Sequence, residues 1–316
     1  MTAQPLRGSA AKKKIIIFFS LGLGACRAAQ PVPAAVPVAR AALPKPAAAD
    51  ARDDRAARAE AAWARRETDP GAVDQAIVIW EDQALRNLDP QGPLLKAARA
   101  RRLRAVNELR TADSAESLAA VAQDALVCAG EAHRSWTAQF PNAAAQLDGT
   151  REAAQIFAQV GAGAAEALYL EAVCTAAWAR AQGFTPLIER RVELEEELKR
   201  VAQLAPALDG AGADRELGAL FAALPPYAGG DLGEARKRLE AAVQRAPDDA
   251  RNRLQLARTV AVKGQDRELF EKQLQAVVRG GDPAAAAEAA ALLSREDDLF
   301  GPAQAAQPTP GGEQKK

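Results

Sequence analysis

From about residue 51 to about residue 295 the chain repeats its apolar side chains at helical spacing. It is cut roughly every 12–24 residues by Pro, Gly or an Asp-Pro pair. Alternating β-branched runs are missing; Ile77-Val78-Ile79 comes nearest, and it sits inside a helical pattern. Connections this short make successive helices reverse and pack on one another, which fits an array of helix hairpins better than a bundle around a cofactor. Alanine strengthens the reading: 79 of the 316 residues are Ala, the residue that enters a helix at least cost. The expected fold is all-α, an array of about 10–11 helices in antiparallel hairpins, a tetratricopeptide-like α-solenoid over residues 51–295.

The breaks can be placed. Asp69-Pro70-Gly71 separates a first helix (about 51–66) from a second (about 72–88), and Asp89-Pro90 ends the second, since the residue before Pro resists the helical conformation. Asp113-Ser114-Ala115-Glu116 offers a capping box with carboxylates near the positive end of the helix dipole. Thr185-Pro186 predicts another start, Thr as cap and Pro in the first turn, of a helix stopping before Pro206. Further breaks fall at 209–212, 225–230, Pro247, Gly264 and 280–283.

One internal unit repeats. Ala235, Leu239, Ala242 and Pro247 have the small–large–small–Pro spacing of a tetratricopeptide repeat's second helix, with Gly230 at the preceding turn. Thirty-four residues on, Gly264 occupies the equivalent turn, Leu256, Ala257 and Val260 lie on the helix before it, and Leu269, Leu274 and Ala276 approximate the helix after it. Trp63, Ala76, Trp80 and Pro90 form a looser N-terminal copy. A hairpin with one apolar face cannot bury itself, so neighbours stack and leave a concave surface for binding.

Charge and residue usage narrow the chemistry. With 41 basic and 41 acidic side chains the chain lacks the basic excess that grips nucleic acid. One His and three Cys exclude a His-rich or Cys₄ metal site. His133, the sole imidazole, reads as a neutral, partly exposed side chain with no nucleophile placed beside it. Gly210-Ala211-Gly212 and Gly229-Gly230 read as turns, because no Lys-Ser/Thr follows them and no strand precedes them. No catalytic residue, cofactor or metal is expected. Cys128 and Cys174, on two Ala-rich helices, either bridge or remain free thiols. Trp63, Trp80, Tyr169, Trp178, Phe221 and Tyr227 are the large side chains that pack between helix layers or line a groove; Tyr169, Trp178, Phe221 and Tyr227 are the groove candidates. The charged stretch 188–200 predicts a solvated face around Glu195, Glu196 and Glu197, with Leu194 and Leu198 turned inward. The run RARRLR (99–104) likewise predicts a solvated face.

The N-terminus carries an address. Arg7 and Lys12-Lys13-Lys14 precede about eleven mostly apolar residues, 15–25, far short of the roughly 20 that span a bilayer but right for an export signal. The run ends in Leu23-Gly24-Ala25-Cys26, which resembles the bacterial lipobox. Residues 1–25 are thus a lipoprotein signal peptide and Cys26 the lipidated first residue of the mature chain; the alternative is an ordinary secretory cut near Ala28. No Asp follows Cys26, which favours the periplasmic face of the outer membrane. Loss of the basic signal leaves the mature chain at about −4. Residues 26–50, rich in Ala and Pro, form a semi-rigid tether, and 296–316 a disordered tail.

Two segments carry a family resemblance. Residues 165–183, with Leu168-Tyr169 and Trp178 on an Ala-rich helix, and residues 214–278 resemble the TatT family. In the second segment the matching positions are Pro225, Gly229-Gly230-Asp231, Ala235, Leu239, Ala242, Gln265-Asp266-Arg267 and Phe270. These are periplasmic, lipid-anchored T-components of tripartite ATP-independent periplasmic (TRAP) transporters. The resemblance implies a non-enzymatic helical protein on cryptic tetratricopeptide hairpins, pairing with the transporter's solute-binding P-component and forming trimers with a ligand-accommodating pore. The alternative function is a general tetratricopeptide lipoprotein that organises envelope-assembly partners.

Overall fold

The structure, a computed structural model, describes residues 54–69, 71–86, 89–109, 112–147 and 152–301. The export signal, Cys26, the tether 26–50 and the tail from 302 lie outside the described residues. The helices are α1 (Arg55–Ala64), α2 (Ala72–Arg86), α3 (Gln91–Leu109), α4 (Ala115–Gln139), α5 (Pro141–Ala144), α6 (Ala153–Phe157), α7 (Ala165–Gln182) and α8 (Phe184–Leu204). They continue with α9 (Gly212–Ala223), α10 (Leu232–Arg245), α11 (Ala250–Leu256, running on as a π-helical turn over Ala257–Ala261), α12 (Arg267–Val278), α13 (Pro283–Leu293) and α14 (Glu296–Phe300). The described residues thus form 14 α-helices and no strand.

The expected 10–11 helices fall short because α5, α6 and α14 have only four or five residues each, too few for a 3.6-residue period to be read. α14 also moves the boundary placed at 295. The Phe300 ring packs 5.1 Å from that of Phe270, so the folded body includes residues 296–300 rather than yielding to a tail there. α8 starts one residue before Thr185, which is therefore not its cap. Gly183, at φ 118°, makes the turn out of α7 and stands at the N-cap position itself, a conformation that a Cβ disfavours. Ser114 does cap α4, its partner in a reciprocal box being Ser117. Asp231, Asp249, Asp266 and Asp282 cap α10, α11, α12 and α13, each carboxylate accepting from a backbone N–H.

Side-chain pairings give the helix directions. Arg104 Nε donates to Asp124 at 2.6 Å while Ser135 Oγ donates to the Gln91 carbonyl at 3.0 Å, so α3 and α4 run antiparallel. Arg55–Asp82 at 2.9 Å and the Trp63–Trp80 ring pair at 5.7 Å do the same for α1 and α2. Arg99–Glu166 and Arg102–Tyr169 share one sequence offset, so α3 and α7, which both pack on α4, run parallel. Packing is mostly between neighbours in chain order.

Small residues set the α9–α10 seam. Ala235, Leu239 and Ala242 are fully buried, and a Cβ on Gly218 would lie 2.5 Å from Leu239 Cγ. At Gly230 a Cβ would lie 1.8 Å from the Leu224 carbonyl oxygen. Pro247 lies in the turn between α10 and α11. The next hairpin repeats this with a slip. Gly264 follows Gly230 by 34 residues, yet the cap Asp266 and the buried Phe270, Leu274 and Val277 follow Asp231, Ala235, Leu239 and Ala242 by 35. The inserted residue is Gln265, held at φ 53°, and it leaves Ala276 only partly buried where the 34-residue register places it in the core.

The apolar interior is in two parts. One continuous cluster runs from Ala98 of α3 through α4–α13. A smaller one joins α1, α2 and α3: Ala59, Ala62, Val73, Ala76, Ile77, Trp80, Ala97 and Ala100. Among the described residues no helix is long and apolar enough to cross a membrane.

Candidate functional site

The four groove candidates do not meet. Tyr169 and Phe221 are buried among helices, whereas Tyr227 projects into solvent with 85% of its surface exposed. The middle of α7 is enclosed on every side: Leu168, Tyr169, Leu170, Ala172 and Val173 are all buried, because α3, α4 and α8 pack around it. Trp178, near the C-terminal end of α7, borders a cleft. That cleft, of about 290 Å³, is walled by Trp178, Pro186, Glu189, Arg190 and Glu193. Cys128 and Cys174 are joined as a disulfide with Cα atoms 6.0 Å apart, bonding α4 to α7.

Tyr169 instead belongs to a polar seam. Its hydroxyl donates to Asp209 Oδ2 at 2.5 Å, and that oxygen also accepts from Arg102 at 3.0 Å and Arg215 at 2.8 Å. Arg251 reaches Asp209 Oδ1 at 2.9 Å, and Arg215 extends to Asn252 Oδ1 at 3.1 Å. Burial would raise the Asp209 carboxyl's pKa, but Arg102, the Tyr169 hydroxyl, Arg215 and Arg251 outweigh it and hold the group well below the usual carboxylate range. Burial pushes the Tyr169 phenol up. Asp209, Gly210 and Ala211 all have positive φ, of 51°, 64° and 60°, so the loop after α8 takes a costly shape to place that carboxylate.

A second polar group sits between α4, α7 and α8. Glu171 accepts from His133 Nδ1 at 2.8 Å and from the Trp136 indole N–H. Glu197, placed on a solvated face by the sequence pattern, is buried to 6% exposure and its Oε2 has no hydrogen-bond partner among the described residues. Leu194 and Leu198 are buried as expected and Glu197 is buried beside them, while Glu195 and Glu196 stay partly exposed. Burial, then Glu171 and Glu193, raise the Glu197 carboxyl well above its ordinary value, with Arg190 opposing. His133 has this carboxylate partner, and no cluster of three or more metal-ligating side chains occurs among the described residues.

Comparison with protein families matches residues 96–300 to the TRAP transporter T-component. The chain belongs to that family. The T-component family is a transporter accessory and is not known as enzymatic. A search of curated proteins returns no match.

The matched region of this T-component begins inside α3, so α1 and α2 lie outside it. Beside the apolar cluster, Arg101 and Arg104 of the basic run 99–104 tie α2 to the body. Rather than facing solvent, Arg101 reaches Glu81 on α2 and Asp124 and Glu131 on α4. Arg104 joins Asp74 on α2, at 2.5 Å, to Asp124 on α4. Glu131 Oε2 is buried and meets no hydrogen-bonding cation, hydroxyl or amide N–H among the described residues. Its pKa is raised to about 8, by burial first and by Glu81 next, against Arg101. The signal available in the sequence was the spacing: Arg101 and Arg104, three apart, share a helix face, and only the placement of α2 and α4 shows that face to be covered.

Proposed function

We propose that the chain is a lipid-anchored accessory of a TRAP-type solute uptake system in the cell envelope, holding a periplasmic solute-binding protein close to the membrane. The family match over residues 96–300 carries this reading. It is supported by the export signal and by Leu23-Gly24-Ala25-Cys26, whose Cys would take the acyl chains; several chains anchor stably where one does not. At about 3.1 Å per residue, an extended 26–50 tether would let the body stand several nanometres off the periplasmic face of the outer membrane. Antiparallel helix pairs, with α3 and α7 parallel on the two sides of α4, favour a tetratricopeptide-like array that offers a surface to a partner, and a trimer would multiply that surface.

Two measurements test it. Cys26→Ala should release the protein from the membrane fraction and abolish acyl labelling; retention of both would remove the anchor. Affinity capture of the acylated protein from its own envelope should bring down a solute-binding protein. Capture of only envelope-assembly or cell-wall proteins would replace transport with the scaffold reading.

A further inference from the structure

The first hairpin joins the rest of the molecule where negative groups outnumber positive ones. α1 packs on α2 and α2 on α3, over an apolar cluster separate from the main interior. Beside that cluster the Arg101 guanidinium meets three carboxylates. Nη2 donates to Glu81 of α2, Nη1 to Asp124 of α4 at 3.0 Å, and Nε to Glu131 of α4 at 3.3 Å. Arg104 meets Asp124 again, and Asp74 of α2. Two guanidiniums thus serve four carboxylates.

Stereochemistry sets two of the four side by side. The Nε–H and one Nη2–H of a guanidinium point the same way from one edge, so the Glu131 and Glu81 oxygens they hold are neighbours. Glu131 is 1% exposed, and its Oε2 meets no cation, hydroxyl or amide N–H among the described residues. Two carboxylates so placed do not both keep their charge away from water. One proton between them turns repulsion into a hydrogen bond, a carboxyl O–H donating to a carboxylate. The charged groups on the packed helices have other partners. On α3, Lys96 is paired with Glu60 of α1, Arg99 with Glu166 of α7, and Arg102 with Asp209. On α2, Asp82 holds Arg55 and Arg86. Arg134 of α4 turns to the Gly130 carbonyl, and Glu171 of α7 is engaged by His133 and Trp136.

We propose that the proton shared by Glu81 and Glu131 is a latch that docks the α1–α2 hairpin on α3 and α4, and whose loss undocks it while the remaining helices keep their fold. Burial and Glu81, against Arg101, raise the docked Glu131 carboxyl to about 8. Once α2 leaves, Glu131 is wet, free of Glu81 and back near its ordinary 4.5. Docking is therefore complete below the lower value and weakens by about tenfold per pH unit up to the higher one, where the docked form has lost its proton too. A short hairpin alone does not hold its helices in water, so undocking melts α1 and α2 and bares Ala97 and Ala100 of α3. The Cys128–Cys174 bridge fastens α4 to α7 and keeps the body out of the transition. The latch depends on neither the anchor nor a transport partner.

Hydrogen–deuterium exchange of the full-length protein, read by mass spectrometry at about pH 6 and about pH 8, tests the latch. Peptides from α2 are referred to peptides from α7 in the same sample, so the intrinsic pH dependence of exchange cancels. Protection of α2 relative to α7 should fall at least about tenfold between the two conditions. Glu131→Gln, whose amide N–H donates to Glu81 in place of the proton, should hold the ratio within about threefold. Glu81→Gln, donating in the opposite direction, should do the same, and circular dichroism of each variant should match the parent. A parent ratio unchanged with pH, or a fall that persists in both variants, would overturn the proposal. The parent's own ratio decides the first point whether or not a variant folds.

Discussion

The guanidinium of Arg215 on α9 and the side-chain amide of Asn252 on α11 meet at 3.1 Å, both fully enclosed by protein. Asn252 then returns its own N–H groups to the carbonyls of Gly210 at 3.0 Å and Ala242 at 3.1 Å. A single pair thus closes the α8–α9 loop, the end of α10 and the start of α11 onto one point.

Removing Arg215 strands this arrangement. Arg215→Met should cost about 3–5 kcal/mol in urea unfolding, because Asp209 and Asn252 stay buried with fewer donors. Tyr169→Phe removes one hydrogen bond to the same carboxylate and should cost about 1.5–3 kcal/mol. The depressed Asp209 group makes the seam's contribution complete above its ordinary value of 3.8 and lost as the pH falls below it. In Arg215→Met that acid-linked loss should shrink; an unaltered acid limb would remove Asp209 from the account.

Glu131 titrates in the opposite sense. A carboxyl raised to about 8 from 4.5 is no burden while protonated and becomes one as the pH rises through that window. Stability should therefore fall between these values by up to about 1.4 kcal/mol per pH unit. Glu131→Gln mimics the protonated form, so its unfolding midpoint should be flatter with pH and higher than the parent's at pH 8. Identical pH profiles would show that Arg101 neutralises Glu131 in full.

The Cys128–Cys174 bridge closes a loop of sequence separation 46, for which chain entropy alone gives about 4 kcal/mol. Dithiothreitol, or the double variant Cys128→Ala/Cys174→Ala, should lower the thermal midpoint by roughly 10 °C. Insensitivity of the parent to reductant would mean the thiols are unpaired in solution.

The all-α class was legible because period and punctuation are local properties: the Asp-Pro pairs, Gly230 and Gly264 mark the ends of helices from within a few residues. One-turn helices such as α6 have no period to read, and the 35-residue offset at Asp266 was hidden because Gln265, not a glycine, takes the left-handed position. Residue 197 shows the deeper limit. Three successive glutamates look solvated on any helical wheel, yet Glu197 is enclosed because α8 is covered by α6 and α7 together. Which faces are covered depends on helices distant in sequence, and the same cause scattered Tyr169, Phe221 and Tyr227. Asp209 gave no signal of its own, since the three arginines that seek it come from positions 102, 215 and 251.

The division of the apolar interior gives the molecule a mechanical grain. A pull on the N-terminal end meets α1 and α2 first, held to α3 by a small apolar cluster and by the Arg101–Glu81, Arg104–Asp74 and Lys96–Glu60 pairs. The continuous cluster from α3 onward, laced by the disulfide, bears load as one body. Stretched from that end, the chain yields by shedding its first hairpin, paying out on the order of 100 Å of polypeptide while the helices that match the T-component family keep their shape. In such a pull the first hairpin would be the sacrificial element, lost before the matched helices distort.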